Sequence, residues 1–94
     1  MRDVTVLLLD GTFSSTAIGP MEVFRHAGSL WNVLTGKRPV PRFRVTTASA
    51  DGRAVRCDGP IHIQPNAALP SIRNTDLIFI PTTGLSLDLS LLHI

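Results

Sequence analysis

The apolar positions change their spacing along the chain, and each spacing predicts a different element. Val4–Asp10 is a nearly unbroken apolar run that ends on Asp10-Gly11, with β-branched residues at its start. A strand that is apolar on both sides suits the middle of a parallel sheet, where helices cover both faces. Gly11–Ser15 reads as a turn, after which Ala17, Met21, Phe24, Ala27 or Gly28, Trp31 and Leu34 recur at steps of three and four. That spacing predicts one apolar helix face lying on the sheet. Ser14, Ser15 or Thr16 is placed to cap the helix with a side-chain oxygen. Gly19-Pro20 predicts a kink or a later helix start, because proline lacks the backbone donor and crowds the preceding turn. Gly28-Ser29 marks a second break, and Gly36 marks the stop.

Beyond the basic, proline-containing loop Lys37–Pro41, the spacing shortens to two. Phe43, Val45 and Thr47 alternate with Arg44 and Thr46, which predicts a strand over 42–49 with one wetter face. Asp51-Gly52 is a hairpin signal. Arg53–Cys57 and Ile61–Ile63 read as short strands joined through Asp58-Gly59-Pro60, and Pro65–Ser71 reads as a loop or helical turn. Thr75–Pro81 is a second compact apolar run suited to a central parallel strand. Thr82-Thr83-Gly84 follows as a turn, and Leu85–Ile94 predicts the start of a helix capped by Ser86.

Composition narrows the class. With 94 residues, 44% hydrophobic and 17% charged, the chain is globular rather than disordered and sized for one small domain. No composition shift, repeat or low-complexity linker divides it. A net charge of +2, with the cations scattered apart from Lys37–Arg44, is too thin for a nucleic-acid footprint. The single cysteine excludes an internal disulfide and any cysteine-based metal knuckle. The first apolar run is too short to span a membrane and lacks a following cleavage signal, so the expected setting is cytoplasmic.

Few residues carry chemistry. His26, His62 and His93 lack the spacing of a metal site, so no metal or other cofactor is expected. Gly11–Gly19 is not a phosphate-cradling loop. Cys57 has no strand-to-helix elbow around it and reads as a small, partly buried strand residue rather than a nucleophile. Asp10 stands at a strand C-terminus, where open α/β sheets place ligand-binding groups, although a turn-forming aspartate explains it equally.

Three segments in order, Leu9-Asp10-Gly11, Gly19-Pro20-Met21-Glu22-Val23-Phe24 and Leu77-Ile78-Phe79-Ile80-Pro81, resemble the amino-terminal half of the PfpI-like domain. That domain belongs to the class I glutamine-amidotransferase-like superfamily. The branch that looks most similar is the one fused to AraC-type transcriptional regulators. The resemblance implies an α/β, flavodoxin-like fold with a mostly parallel sheet and flanking helices. Residues 1–94 are then expected to form the amino-terminal part of such a domain.

In catalytic relatives a cysteine sits on an elbow downstream of the strand matching Thr75–Pro81, and an acidic residue stands where this chain has Thr16. Threonine does not titrate near neutral pH, and its bland role is that of a turn or capping hydroxyl. Thr82-Thr83 replaces a glycine pair whose backbone N–H groups would face an oxyanion, and two β-branched residues crowd such a turn. Glu22 faces a pocket or a dimer seam in relatives, or is a solvated carboxylate near Arg25 and His26. The resemblance therefore implies no catalytic residue in this chain, and a ligand site drawn from Asp10, Gly11, Thr16, Glu22, Thr82 and Thr83. The implied function is the ligand-sensing or dimerisation portion of an AraC-type regulator. Its partners are a small-molecule effector, a second copy in the full-length protein, and DNA through a downstream domain. The alternative is a fragment of a cysteine-dependent hydrolase or hydratase.

Overall fold

The computed structural model describes residues 1–82. The elements in chain order are β1 (Arg2–Leu7), α1 (Ser14–His26), α2 (Leu30–Leu34), β2 (Phe43–Ser49), β3 (Val55–Arg56), β4 (His62–Ile63), β5 (Ala67–Ala68), a 3-10 turn (Leu69–Ser71) and β6 (Leu77–Phe79). Four strands form one sheet in the order β5-β2-β1-β6, and every pair in it is parallel. β3 and β4 form a separate antiparallel hairpin. The α/β, parallel-sheet reading of the sequence is therefore correct.

β1 is central in the sheet, with a strand paired on each edge. It pairs with β2 from Arg2 to Leu7 and with β6 from Val4 to Val6. Val4, Thr5, Val6 and Leu8 are all buried. Strand alternation and register put Val4, Val6, Val45 and Phe79 on one face. α1 lies on that face and contributes Ala17, Met21 and Phe24. The Phe24 ring meets Phe43 edge-on at 5.2 Å and Phe79 at 6.5 Å, which ties the helix to both flanks of β1. Leu8 joins this core with Val55 and Ile63 of the hairpin.

Polar clamps fix the neighbouring strands. Asp76 accepts the Asp3 N–H at 2.7 Å while its own N–H donates to the Asp3 carbonyl at 2.8 Å, seating β6 beside β1. Buried Thr5 donates to the Thr75 hydroxyl at 2.9 Å. On the opposite flank, the Asn66 side-chain oxygen takes both the N–H and the hydroxyl of Thr47 at 3.1 Å, which holds β5 on β2.

Several expectations need correction. α1 runs unbroken through Gly19-Pro20, with Pro20 as an interior residue. The break comes at Gly28, whose φ is +78°, so the chain turns before Trp31 and Leu34 reach the sheet; both are 70% exposed. The predicted helix face thus ends at Phe24 and Ala27. No side chain caps α1: Phe13 takes the cap position, and the serines and Thr16 already lie in the first turn. Gly36 does stop α2, with φ +74° and its N–H on the Val33 carbonyl.

Asp51-Gly52 turns the chain without making a β2–β3 hairpin, because both edges of β2 are taken by β1 and β5. β5, inside the predicted loop, is an additional strand. β6 pairs with β1 alone among the described residues, and Leu77 and Ile78 are about half exposed rather than enclosed (45% and 50%). The helix expected over Leu85–Ile94 lies outside the described residues. Among the described residues, no helix is long and apolar enough to cross a membrane.

Candidate functional site

The sheet order creates the site. From β1 the chain winds outward through β2 to β5, then crosses back to place β6 on the other side of β1. β1 thus stands where the strand order reverses, with β2 on one side and β6 on the other. Open α/β sheets bind ligands in the crevice that opens there, at the carboxyl ends of the strands.

The turn after β1 is rigidly built. Thr12 is fully buried, and its hydroxyl bonds both the N–H and the carbonyl of Leu9. The Gly11 N–H donates to the Arg56 carbonyl at 2.8 Å, and the Asp10 carboxylate accepts the Arg56 N–H at 3.1 Å. Asp58 N–H reaches back to the Thr12 carbonyl at 3.0 Å. Asp10 and Gly11 are thus the grip by which the β1–α1 turn holds the hairpin.

On the β6 side, the Thr82 carbonyl accepts the Phe13 N–H at 2.9 Å and lies 3.3 Å from the Thr16 hydroxyl. That hydroxyl donates more closely, at 2.7 Å, to the Phe13 carbonyl. A hydroxyl has one proton to give, and here it is committed to backbone oxygens. Its lone pairs remain as acceptors for a ligand.

The structure therefore brings Asp10, Gly11, Thr16 and Thr82 to one end of the sheet. Glu22 lies six residues beyond Thr16, about 9 Å along the helix axis at 1.5 Å per residue. It is exposed and stands apart from the crevice. Thr83 lies outside the described residues. Beside Asp10 a groove of about 440 Å³ runs between the ends of β1 and β2, lined by Leu8, Ser49, Asp51, Arg53 and Val55. Sequence reasoning did not single out Ser49, Asp51 or Arg53 as site residues. The available signal was that Asp51-Gly52 directly follows a strand whose carboxyl end must meet that of β1.

Cys57 belongs to the hairpin and is 3% exposed. Burial pushes its thiol above the ordinary range. The folded state then holds the thiol proton more tightly than the unfolded chain does. The effect on stability is nil below about pH 8.5, the unperturbed thiol value, and stability falls as pH rises above it. Urea midpoints measured from pH 7 to pH 10 are expected to decline more steeply in the native sequence than in Cys57→Ser. Among the described residues no cluster of three His, Cys, Asp or Glu side chains could hold a metal ion.

Two solved structures share this arrangement. A DJ-1 superfamily protein from Agrobacterium tumefaciens superposes with a TM-score of 0.62 at 17% identity, covering 94% of this chain and 40% of its own. The described residues share the fold of the matched part of that DJ-1 superfamily protein. A Vibrio parahaemolyticus protein provisionally described as a transcriptional regulator superposes with a TM-score of 0.63 at 22% identity, covering 93% of this chain and 44% of its own. The chain thus spans about two fifths of the length of these structures, corresponding to their amino-terminal part. No protein-family model matches the sequence, and no curated protein sequence matches it significantly.

Proposed function

We propose that the chain is the amino-terminal, ligand-sensing or dimerising portion of an AraC-type transcriptional regulator, and that it carries out no catalysis. DNA is held by a domain downstream of this chain, and a small effector by the crevice between β1 and β6. The observation that supports this most is Thr16. At the crevice it presents a hydroxyl already spent on the Phe13 carbonyl, where acid–base chemistry needs a group that titrates near its working pH. Asp10 is engaged in holding the hairpin, and Cys57 is buried with its thiolate disfavoured. What is left is hydrogen-bonding capacity, which suits binding. The likeness to a protein provisionally described as a regulator agrees with this reading.

The test is turnover. Incubated with amide, ester and aldehyde substrates, the chain is expected to show no thiol-dependent reaction, and Cys57→Ser is expected to behave identically. Turnover that disappears in Cys57→Ser overturns the non-catalytic reading and restores the hydrolase or hydratase alternative.

A further inference from the structure

Beyond α1 the chain carries an apolar surface that nothing among the described residues covers. Leu30, Trp31, Val33 and Leu34 of α2 are each half or more exposed. Single apolar residues on a surface are ordinary, but four within one five-residue helix form a patch. At about 100° per residue, Val33, Leu30, Leu34 and Trp31 span roughly 160° of the helix circumference. Asn32 lies opposite that arc, and its side-chain amide donates to the Arg38 carbonyl at 3.0 Å. The polar residue of α2 therefore faces its own chain, and the apolar residues face out. An amphipathic helix folded onto its own core does the reverse.

Backbone bonds hold the arc in this position. The Val40 N–H donates to the Gly28 carbonyl at 2.7 Å and the Arg42 N–H to the Ala27 carbonyl at 3.2 Å, which closes the loop at its base. Within the loop the Lys37 N–H donates to the Asn32 carbonyl at 2.6 Å, and the Thr35 hydroxyl to the Trp31 carbonyl at 2.9 Å. A second copy of this chain fits the arc best. No charged residue occurs from Ala27 to Gly36, so two identical arcs meet without opposed like charges, as a twofold contact requires. With about 150–250 Å² for a tryptophan and roughly 60–120 Å² for each aliphatic side chain, the four present on the order of 400 Å². Interfaces are only about 56–65% apolar, so an apolar centre of that size matches roughly 700 Å² per partner, near the standard ~800 Å². The chain continues past Thr82, whose carbonyl is bonded to the Phe13 N–H at the start of α1. α2 lies beyond the other end of that 13-residue helix, about 20 Å along its axis, so the next residues emerge far from the arc.

We infer that the outer face of α2 is the seam of a homodimer, in which Trp31 packs against the same face of a second copy. A tryptophan at the centre of an uncharged patch, with Lys37 and Arg38 following at its rim, has the composition of an interface core. This seam deepens the dimerising part of the proposed function and rests on that reading, but not on the effector or on DNA.

The test is sedimentation velocity of the intact protein over a range of concentrations, with and without substitutions in α2. The native protein is expected to pass from monomer to dimer as concentration rises. Trp31→Glu and Leu34→Lys are each expected to raise the dissociation constant about tenfold or more. Both side chains are exposed in the single chain, so urea midpoints measured below the dissociation constant are expected to match the native one. Ile61→Lys, which charges an exposed apolar residue beside the β3–β4 hairpin, is expected to leave the dimer intact. A dimer that survives both α2 substitutions, or that Ile61→Lys dissolves equally, overturns the seam and leaves the dimerising reading standing. A protein that is monomeric at every concentration overturns both. Trp31 fluorescence that shifts with anionic phospholipid vesicles while the protein stays monomeric also overturns the seam, and marks a membrane-facing patch instead.

Discussion

Leu8→Ala is expected to lower stability by about 2–5 kcal/mol, the usual cost of emptying a well-packed leucine site. Leu8 is 2% exposed and sits where β1, α1 and the β3–β4 hairpin converge, packed with Val6, Ala17 and Val55. The hairpin shares no sheet with β1, so this contact and the Asp10–Gly11 grip are what fasten it to the crevice. A domain typically holds about 5–15 kcal/mol in total, so the loss is a large share. Urea unfolding followed by far-ultraviolet circular dichroism is expected to show the midpoint falling by at least about 0.7 M, given slopes of about 1–3 kcal/mol per molar. A midpoint unchanged in the variant would mean that Leu8 does not pack as described.

Gly28→Val is expected to destabilise by more than about 2 kcal/mol. The left-handed backbone alone costs an ordinary residue about 1–2 kcal/mol. At Gly28 a side chain also has no room: a Cβ would stand 2.1 Å from the Val40 carbonyl oxygen and 2.9 Å from the Arg42 side chain. The obstacle is backbone, so the loop over 38–42 must move. Gly36 separates the two effects, because its φ is +74° and nothing lies within 4 Å of a Cβ there. Gly36→Val is therefore expected to show the strain without the clash. If the two variants lose equal stability, the close approach of the loop to Gly28 is not the constraint.

Gly28 also shows where sequence reasoning stopped. The steps of three and four through Trp31 and Leu34 are real, but a period says nothing about whether the axis continues. One residue at positive φ redirects the chain, and the apolar side chains beyond it end up exposed. Pro20 is a second case: local rules predict a kink there or a helix that starts at Pro20, and the helix starts earlier, at Ser14, with Ala17, Met21 and Phe24 packed on one sheet face. Asp51-Gly52 was legible as a turn but not as part of a crossover, since pairing partners are a non-local property. β5 is two alanines with no period to detect, and it is fixed by Asn66 from its neighbouring position.

The crevice was more legible than the fold around it. Asp10 and Gly11 end the first apolar run, Thr82 follows the last one, and parallel pairing brings those ends together with Thr16. Glu22 was carried by a motif rather than by position, and the helix places it away from them.

The regulator reading is tested most directly by asking where the full gene product resides on DNA. Chromatin immunoprecipitation of the tagged, intact protein is predicted to enrich a small set of discrete promoter-proximal sites, with occupancy that changes when a crevice substitution such as Thr16→Val is introduced. Absence of any enriched site, together with thiol-dependent turnover by the same protein, would contradict it.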